Sequence, residues 1–162
     1  MNLLHRLRFR SGLVVFLGLQ KAFELANPPA ILEALTHKNV RGHLLQWISD
    51  FLTNRSARVR FQGHLSLPQR HFLGTPQGSC LSPFLFNILM EGLFSVTYGE
   101  GVQLLCYADD LALVFPKCNS ESLVHQALST LKRRCDILGL KVNATKSCYM
   151  NFGRVPPVDH CS

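Results

Sequence analysis

Two adjacent carboxylates interrupt the middle of a strongly apolar stretch of the chain. Asp109 and Asp110 lie between residues 104–107 and 111–114, two short runs whose side chains favour burial in strands. A hairpin that turns at the two aspartates satisfies both requirements. The pair is then either an ordinary solvated turn, since Asp is common in turns, or a set of hard oxygen ligands that stays ionised because it binds a divalent cation.

Hydrophobic patterns elsewhere predict an α+β domain with one core. The run at residues 12–19 is short, apolar and rich in β-branched side chains, which favours a buried strand. Pro28 suits the first turn of a helix. The other predicted elements are a helix with Leu44, Trp47, Ile48, Phe51 and Leu52 on one stripe, a hairpin over 56–72 turning at 62–64, a helix over 81–96 capped by Ser82, a hairpin over 102–115, a helix from Ser120 to about Gly139, and short strands at 140–142 and 148–152.

Charge and cysteine content favour certain partners and compartments. The formal net charge of +7 and the pI of about 9.4 suit a polyanionic partner such as nucleic acid. Arg55, Arg58 and Arg60 crowd the first half of the 56–72 hairpin, where a solvated strand face and phosphate contact fit the charge equally well. The six cysteines form no CxxC pair, which argues against a zinc site and favours reduced thiols.

The termini predict neither a signal peptide nor a transmembrane segment. The apolar run at 13–17 is too short for either. We therefore expect an intracellular protein of the nucleus or cytoplasm. We also expect a lead-in over residues 1–11, one domain over 12–152, and a frayed tail over 153–162, which contains two prolines.

Four segments, in this order, resemble the motifs of reverse transcriptases of non-LTR (LINE-like) retrotransposons. They are FLGLQKAF at 16–23, GTPQG at 74–78 followed by LSP at 81–83 and LFN at 85–87, YADD at 107–110, and GLKVN at 139–143 followed by Lys146. A YADD tetrapeptide alone is weak, whereas GTPQG to LFN followed by YADD in one chain is specific. The resemblance implies a polymerase palm-like antiparallel sheet with helices packed on one face.

The resemblance also implies phosphoryl transfer assisted by two metal ions, Mg²⁺ or Mn²⁺. Asp109 would be the main metal ligand, and Asp110 its less direct neighbour. Lys146 would orient or protonate the leaving pyrophosphate. The implied partners are an RNA template, a DNA primer and deoxynucleoside triphosphates, and no membrane.

A second set of residues is implied to contact the nucleotide and template. Phe23 would lie beneath the sugar and exclude a 2′-hydroxyl by its bulk. Gln77 and Gly78 would pack against the incoming nucleotide and the template, because a small residue lets a base pair approach the backbone. Each role has a structural alternative: Phe23 as a core residue, Gly78 as a turn former, and Lys146 as a solvated charge.

The chain departs from the family pattern at Gly18, where active members carry an aspartate that bridges both metals. Glycine has no side-chain ligand, and Gln20 stands where an acidic residue is common. We therefore expect primer extension to be absent or nearly so. Because the chain begins and ends near palm motifs, we also expect truncated fingers and thumb, which would lie upstream of Met1 and downstream of Ser162.

Two alternatives to a reverse transcriptase remain open at the level of sequence. The chain could be a non-catalytic, basic nucleic-acid-binding remnant, in which case its binding to nucleic acid depends on salt. It could also fail to fold stably, since loss of fingers and thumb would uncover apolar palm surface.

Overall fold

A computed structural model describes residues 11–116 and 121–153. In chain order the strands are β1 (Ser11–Leu19), β2 (Arg55–Ala57), β3 (Arg60–Phe61), β4 (His64–Leu65), β5 (Gln69–His71), β6 (Gln103–Tyr107), β7 (Asp110–Phe115) and β8 (Val142–Gly153). The helices are α1 (Ala22–Leu25), α2 (Pro28–His37), α3 (Gly42–Leu52), α4 (Leu81–Glu91) with a 3-10 extension (Gly92–Ser95), and α5 (Glu121–Leu138). The mixture of helices with antiparallel strands confirms the predicted α+β class.

One compact unit, the sheet unit, contains the described residues of 11–19, 94–116, 121–134 and 142–153. Its four-stranded antiparallel sheet has the order β6-β7-β1-β8. The predicted burial of the 104–107 run is wrong, since residues 104–106 are half-buried and Tyr107 is 85% exposed. The predicted burial of the 111–114 run is confirmed, and Leu111, Leu113 and the following Phe115 are almost fully buried. Their burial fixes the register of β7, because a slip of one residue would turn these side chains to the opposite face.

The second unit, the helical unit, contains residues 20–93 and 135–141. Pro28 begins α2, as predicted, and Ile31 and Leu35 on its inner face are buried. In α3 only Ile48 and Leu52 of the predicted apolar stripe are buried. The other side of that stripe is exposed: Leu44 and Trp47 face solvent, and the Trp47 ring stacks on that of Phe51 with centroids 5.8 Å apart.

Three predicted elements differ from the structure. The 56–72 hairpin divides into two short ladders, β2 with β5 and β3 with β4, although the turn at Gln62 and Gly63 is where it was expected. The predicted strands at 140–142 and 148–152 form one long strand, β8, that pairs with β1. Ser120, the predicted start of α5, lies outside the described residues.

The predicted cap of α4 is wrong. The helix begins at Leu81, and the Ser82 hydroxyl donates instead to the carbonyl of Pro76 at 2.6 Å. The Leu81 N–H donates to the Ser79 hydroxyl at 3.2 Å, so this first N–H of the helix is bonded by the serine three residues before Ser82. Two serines close together in sequence made the wrong one look like the cap.

Among the helices of residues 11–116 and 121–153, none has the length and apolar character needed to cross a membrane.

Candidate functional site

The aspartate hairpin of the sheet unit differs by one residue from the prediction. Tyr107 pairs with Asp110, so the two-residue loop is Ala108–Asp109 and Asp110 is already the first residue of β7. Ala108 has φ 52°, in the left-handed region that a tight hairpin loop requires. The predicted turn at Asp109–Asp110 was therefore displaced, because Asp is a more frequent turn former than Ala. Asp109 is half-buried and Asp110 exposed.

A row of four residues crosses the sheet beside this turn. Asp110 lies opposite Tyr107 on one side and Gly18 on the other, and Gly18 lies opposite Asn143 of β8. Directly opposite residues of antiparallel strands point to the same face. A side chain at position 18 would therefore stand next to that of Asp110, which is where the family pattern would put its missing carboxylate.

The space above Gly18 is filled by the stem of Lys146. A Cβ at position 18 would lie 2.8 Å from the Cβ of Lys146 and 3.3 Å from its Cδ, closer than carbon atoms pack. The predicted role of Lys146, orienting or protonating pyrophosphate, stays a prediction. The structure gives the residue a packing role, since its aliphatic stem covers Gly18.

A bulge in β8 brings Lys146 to this position. The ladder between β1 and β8 shifts register between the pairs Phe16–Cys148 and Gly18–Asn143, so residues 144–147 leave the regular pairing. Asn143 closes the bulge: its Oδ1 accepts from the Thr145 N–H at 3.0 Å and the Thr145 hydroxyl at 2.7 Å, and its carbonyl accepts from the Ser147 hydroxyl at 2.7 Å. Lys146 is thus held by a local hydrogen-bond network.

The thiol of Cys106 lies close enough to the aspartate turn for the two carboxylates to affect its pKa. Its Sγ lies 3.4 Å from the Ala108 carbonyl, to which the thiol donates. Burial, and after it the negative charges of Asp109 and Asp110, raises the pKa of the Cys106 thiol. The cysteine pattern predicted only reduced thiols; the closeness of Cys106 to the two aspartates in sequence was the signal for this electrostatic coupling.

The donor set does not fit a two-metal centre. Within residues 11–116 and 121–153 no group of three or more His, Cys, Asp and Glu side chains is placed to hold a metal ion. Asp109 and Asp110 supply carboxylates, but Gly18 supplies none, and the aliphatic stem of Lys146 packs against it. Divalent cations require several fixed oxygen ligands. The described residues therefore supply only part of the ligand set that the resemblance implies, and metal binding stays a prediction.

A second group of predicted residues meets in the helical unit. Phe23, Gln77 and Gly78 line one cavity of about 220 Å³, together with Thr75, Ser79 and Ser82. The Phe23 ring is held from behind by Phe86, with ring centroids 4.3 Å apart. Gly78 has φ +85°, and a Cβ there would meet nothing within 4 Å, so its backbone faces open space.

The three predicted arginines separate into two kinds. Arg55 is anchored to the backbone: its Nε donates to the Leu52 carbonyl at 3.0 Å, and its Nη2 donates to the carbonyls of Leu73 and Gly74, each at 2.7 Å. Burial lowers the pKa of this guanidinium. Arg58 and Arg60 are exposed on the hairpin. Phosphate contact by any of them stays a prediction, and Arg55 already has a structural role.

Two residues of the site were missed by sequence reasoning. Asn143 was quoted in the fourth motif without a role, and Thr75 in the second. An Asn followed by Thr two residues later is a local hydrogen-bonding pattern that could have been noticed. No pattern in the sequence indicated that the Thr75 hydroxyl would be buried.

Comparisons with known proteins extend over most of the chain. A transposon BS protein of Drosophila melanogaster, a probable RNA-directed DNA polymerase, is 28% identical over 82% of this chain and 16% of its own length. The Pol polyprotein of type-1 retrotransposable element R2 from Popillia japonica is 30% identical over 68% of this chain and 20% of its own length. The chain thus spans at most a fifth of these relatives, and the resemblance to non-LTR retrotransposon enzymes is confirmed.

Solved structures agree on the fold. Telomerase from Candida tropicalis, in complex with a fragment of telomeric RNA, superposes with a TM-score of 0.68 at 17% identity, covering 88% of this chain and 26% of that one. Telomerase from Candida albicans superposes with a TM-score of 0.68 at 18% identity, covering 96% of this chain and 29% of that one. The family model described as reverse transcriptase (RNA-dependent DNA polymerase) matches residues 5–159, and the chain therefore belongs to the reverse transcriptase family.

Proposed function

We propose that this chain is a palm-like reverse transcriptase domain that binds nucleic acid but extends primers little or not at all. The observation that carries the proposal is the pair Gly18 and Lys146. The first offers no ligand beside Asp110, and the stem of the second fills the place of one.

Two-metal catalysis depends on the number and the charge of its ligands. Each metal ion must be held by fixed oxygen ligands so that attacking and leaving oxygens are stabilised in line. Two carboxylates on one hairpin provide part of such a set. The loss of a carboxylate at position 18, with a lysine stem in its place, reduces both the number of ligands and the negative charge that draws a dication from water.

The proposed partners are an RNA template, a DNA primer and deoxynucleoside triphosphates. The cavity lined by Phe23, Gln77 and Gly78 supports a nucleotide partner, because an aromatic face and an open glycine backbone suit a sugar and base. The net charge of +7 supports a polyanionic partner.

Primer extension on an RNA template tests the loss of catalysis. The purified chain is incubated with template, DNA primer and all four deoxynucleoside triphosphates, in Mg²⁺ and separately in Mn²⁺. We expect no extension above a no-enzyme control. Template-dependent extension that disappears in the Asp109→Ala variant would refute the proposal, because it would show a working site at the aspartate turn.

A second candidate function, nucleic-acid binding without catalysis, is favoured by the exposed hairpin. Arg58 and Arg60 are exposed on it, as is the ring of Phe61, and exposed cations and an exposed aromatic ring on one hairpin suit a phosphate backbone with its bases. We expect binding to an RNA–DNA hybrid to weaken with salt, and the double variant Arg58→Gln, Arg60→Gln to lower the slope of log affinity against log salt by about 2.

The matched control for this hairpin is Arg41→Gln, which removes one exposed arginine from α3's start and leaves the hairpin intact. The Arg41→Gln variant should keep most of the wild-type slope of log affinity against log salt. Binding to the hybrid without any salt dependence would contradict phosphate contact, whatever the outcome of primer extension.

A further inference from the structure

A second pocket of the helical unit has a basic lining. We call it the basic pocket; its volume is about 220 Å³, and its lining residues are Asn54, Arg55, Ser56, Arg70, His71 and Phe72. It lies at the end of the short ladder where β2 begins and β5 ends, because Arg55 is paired with His71 and Ser56 with Arg70. No Asp or Glu lines it, and it shares no residue with the cavity lined by Phe23.

The two guanidiniums of the basic pocket have no carboxylate partner. Among residues 11–116 and 121–153, neither Arg55 nor Arg70 has an Asp or Glu oxygen within 4.0 Å. Arg55 is held in place by backbone carbonyls, which do not cancel its charge. A guanidinium stays protonated at any ordinary pH. The pocket therefore carries two positive charges without a counter-ion from this part of the chain.

The groups that line the basic pocket are accessible from solvent. Ser56, Arg70 and His71 are exposed, and Arg55 is half-buried. Residues opposite each other on the ladder share a face, and successive residues alternate, so Arg55 and His71 belong to one face and Ser56 and Arg70 to the other. Because residues of both faces line the pocket, a ligand there is approached from more than one direction.

The donors of the basic pocket indicate the chemistry of its ligand. Guanidinium, imidazole and hydroxyl groups donate to the oxygens of an anion, and guanidiniums suit phosphate in particular. Donors from several directions match a terminal phosphate, which has three free oxygens, better than an internal phosphodiester, which has two. The ring of Phe72 is 75% exposed and also lines the pocket, so it offers a surface on which a terminal base can stack.

We propose that the basic pocket binds the terminal phosphate of a nucleic-acid strand, with Arg55, Arg70 and His71 as donors and Phe72 against the terminal base. The inference rests on the proposed function, because the ligand is a nucleic-acid strand. It adds a site that recognises the end of the strand and gives a role to three residues, Arg70, His71 and Phe72, to which the sequence motifs assign none.

Three hexathymidylates test the proposal without any divalent metal. One carries a 5′-phosphate, one a 3′-phosphate and one no terminal phosphate, while the bases and the internal phosphodiesters are the same. Isothermal titration calorimetry of the full chain at one salt concentration measures each affinity. We expect a phosphate at one of the two ends to raise the affinity about tenfold, the effect of one hydrogen bond between charged groups. Inorganic phosphate should bind more weakly than this strand, since it has no base to stack on Phe72.

Arg70→Gln and Arg58→Gln form a matched pair of variants. Both remove one exposed arginine from the same hairpin, but only Arg70 lines the basic pocket. Arg70→Gln should lose most of the preference for the terminal phosphate, and Arg58→Gln should keep it. Phe72→Leu should weaken binding of the phosphorylated strand and leave that of inorganic phosphate unchanged. Thermal unfolding of each variant checks that it is folded.

Four outcomes would overturn the proposal: equal affinity for all three strands, a preference that persists in Arg70→Gln, a preference lost equally in Arg58→Gln, or inorganic phosphate bound as tightly as the phosphorylated strand. Salt-dependent binding to an RNA–DNA hybrid, together with equal affinity for the three strands, would retain the proposed nucleic-acid binding and reject the basic pocket as its site for a strand end.

Discussion

The sheet unit and the helical unit each contain a motif glycine that is closely packed, and the two differ in what packs against them. At Gly74, which has φ +81°, a Cβ would meet the backbone carbonyls of Glu24 and Phe23 at 2.5 and 2.8 Å. At Gly18 a Cβ would meet the side chain of Lys146. Backbone cannot yield without unfolding a neighbouring segment, whereas a side chain can be changed.

The difference shows what each glycine contributes to the packing of its unit. In the helical unit Gly74 holds the segment before Thr75 against the end of α1, so the glycine serves the shape of the cavity. In the sheet unit Gly18 accommodates a lysine on a bulged strand, so the glycine serves packing where a metal ligand was expected. The two motif glycines therefore have different structural purposes: one shapes the segment beside the cavity, and the other accommodates a side chain.

The largest effect is expected for Gly74→Ala. The substitution combines a left-handed φ with a clash against two carbonyls, and we expect a loss of roughly 3–5 kcal/mol in the free energy of unfolding. Chemical denaturation measures it. A loss below that of Gly18→Ala would contradict the distinction between backbone and side-chain contacts.

Gly18→Asp should lower the free energy of unfolding by less than Gly74→Ala does. A second substitution, at Lys146, should restore part of that loss. Overpacking against Lys146 predicts a loss of about 1–3 kcal/mol. Adding Lys146→Ala relieves only the contact with Cδ, whereas adding Lys146→Gly relieves the contact with Cβ as well, so stability should recover further in the second double variant. Thermal unfolding of the series measures this.

The same series tests the metal site. Mg²⁺ or Mn²⁺ should raise the thermal midpoint of Gly18→Asp with Lys146→Gly more than that of the wild type, since the added carboxylate stands beside Asp110. Equal metal response in the wild type would show that position 18 is not the defect.

Arg55→Lys should lower the free energy of unfolding by about 1–2 kcal/mol. A lysine ammonium cannot reproduce the geometry with which the planar guanidinium donates to three backbone carbonyls. The same change at exposed Arg58 should have no measurable effect on unfolding. A larger effect at Arg58 would remove the argument that Arg55 supports the segment leading to the cavity.

The smallest effect is expected at Cys106. Its raised pKa leaves less thiolate at a given pH, so alkylation of Cys106 should move to higher pH than that of an ordinary thiol. Asp109→Asn removes one negative charge and should shift the Cys106 profile to lower pH, with burial leaving part of the shift in place. Mass spectrometry resolves each site, and Cys80 in the helical unit is the reference.

Local patterns predicted the elements of this fold better than its contacts. The 12–19 strand, the start of α2 at Pro28 and the apolar aspartate hairpin follow from residue type and periodicity. The division of the 56–72 hairpin and the single long β8 do not, because strand length depends on a partner far away in sequence.

The candidate site shows the same limit. The resemblance implied that Gly18 lies close to the aspartate turn, and in the structure Gly18 of β1 is opposite Asp110 of β7. The resemblance could not show that Lys146 would cover Gly18, because that contact depends on a bulge closed by Asn143. Nor could composition separate Arg55 from Arg58, which differ only in the carbonyls within reach.

Lys146 lies on β8, and β8 is an outer strand of the four-stranded sheet. Outer strands present unpaired backbone groups on which another chain can add a strand, and a charged side chain or a bulge discourages this. Lys146 and its bulge therefore also act against self-association, next to the exposed side chains of Tyr149 and Met150. Clearing position 18 by Lys146→Gly should thus lower the concentration at which the protein begins to aggregate.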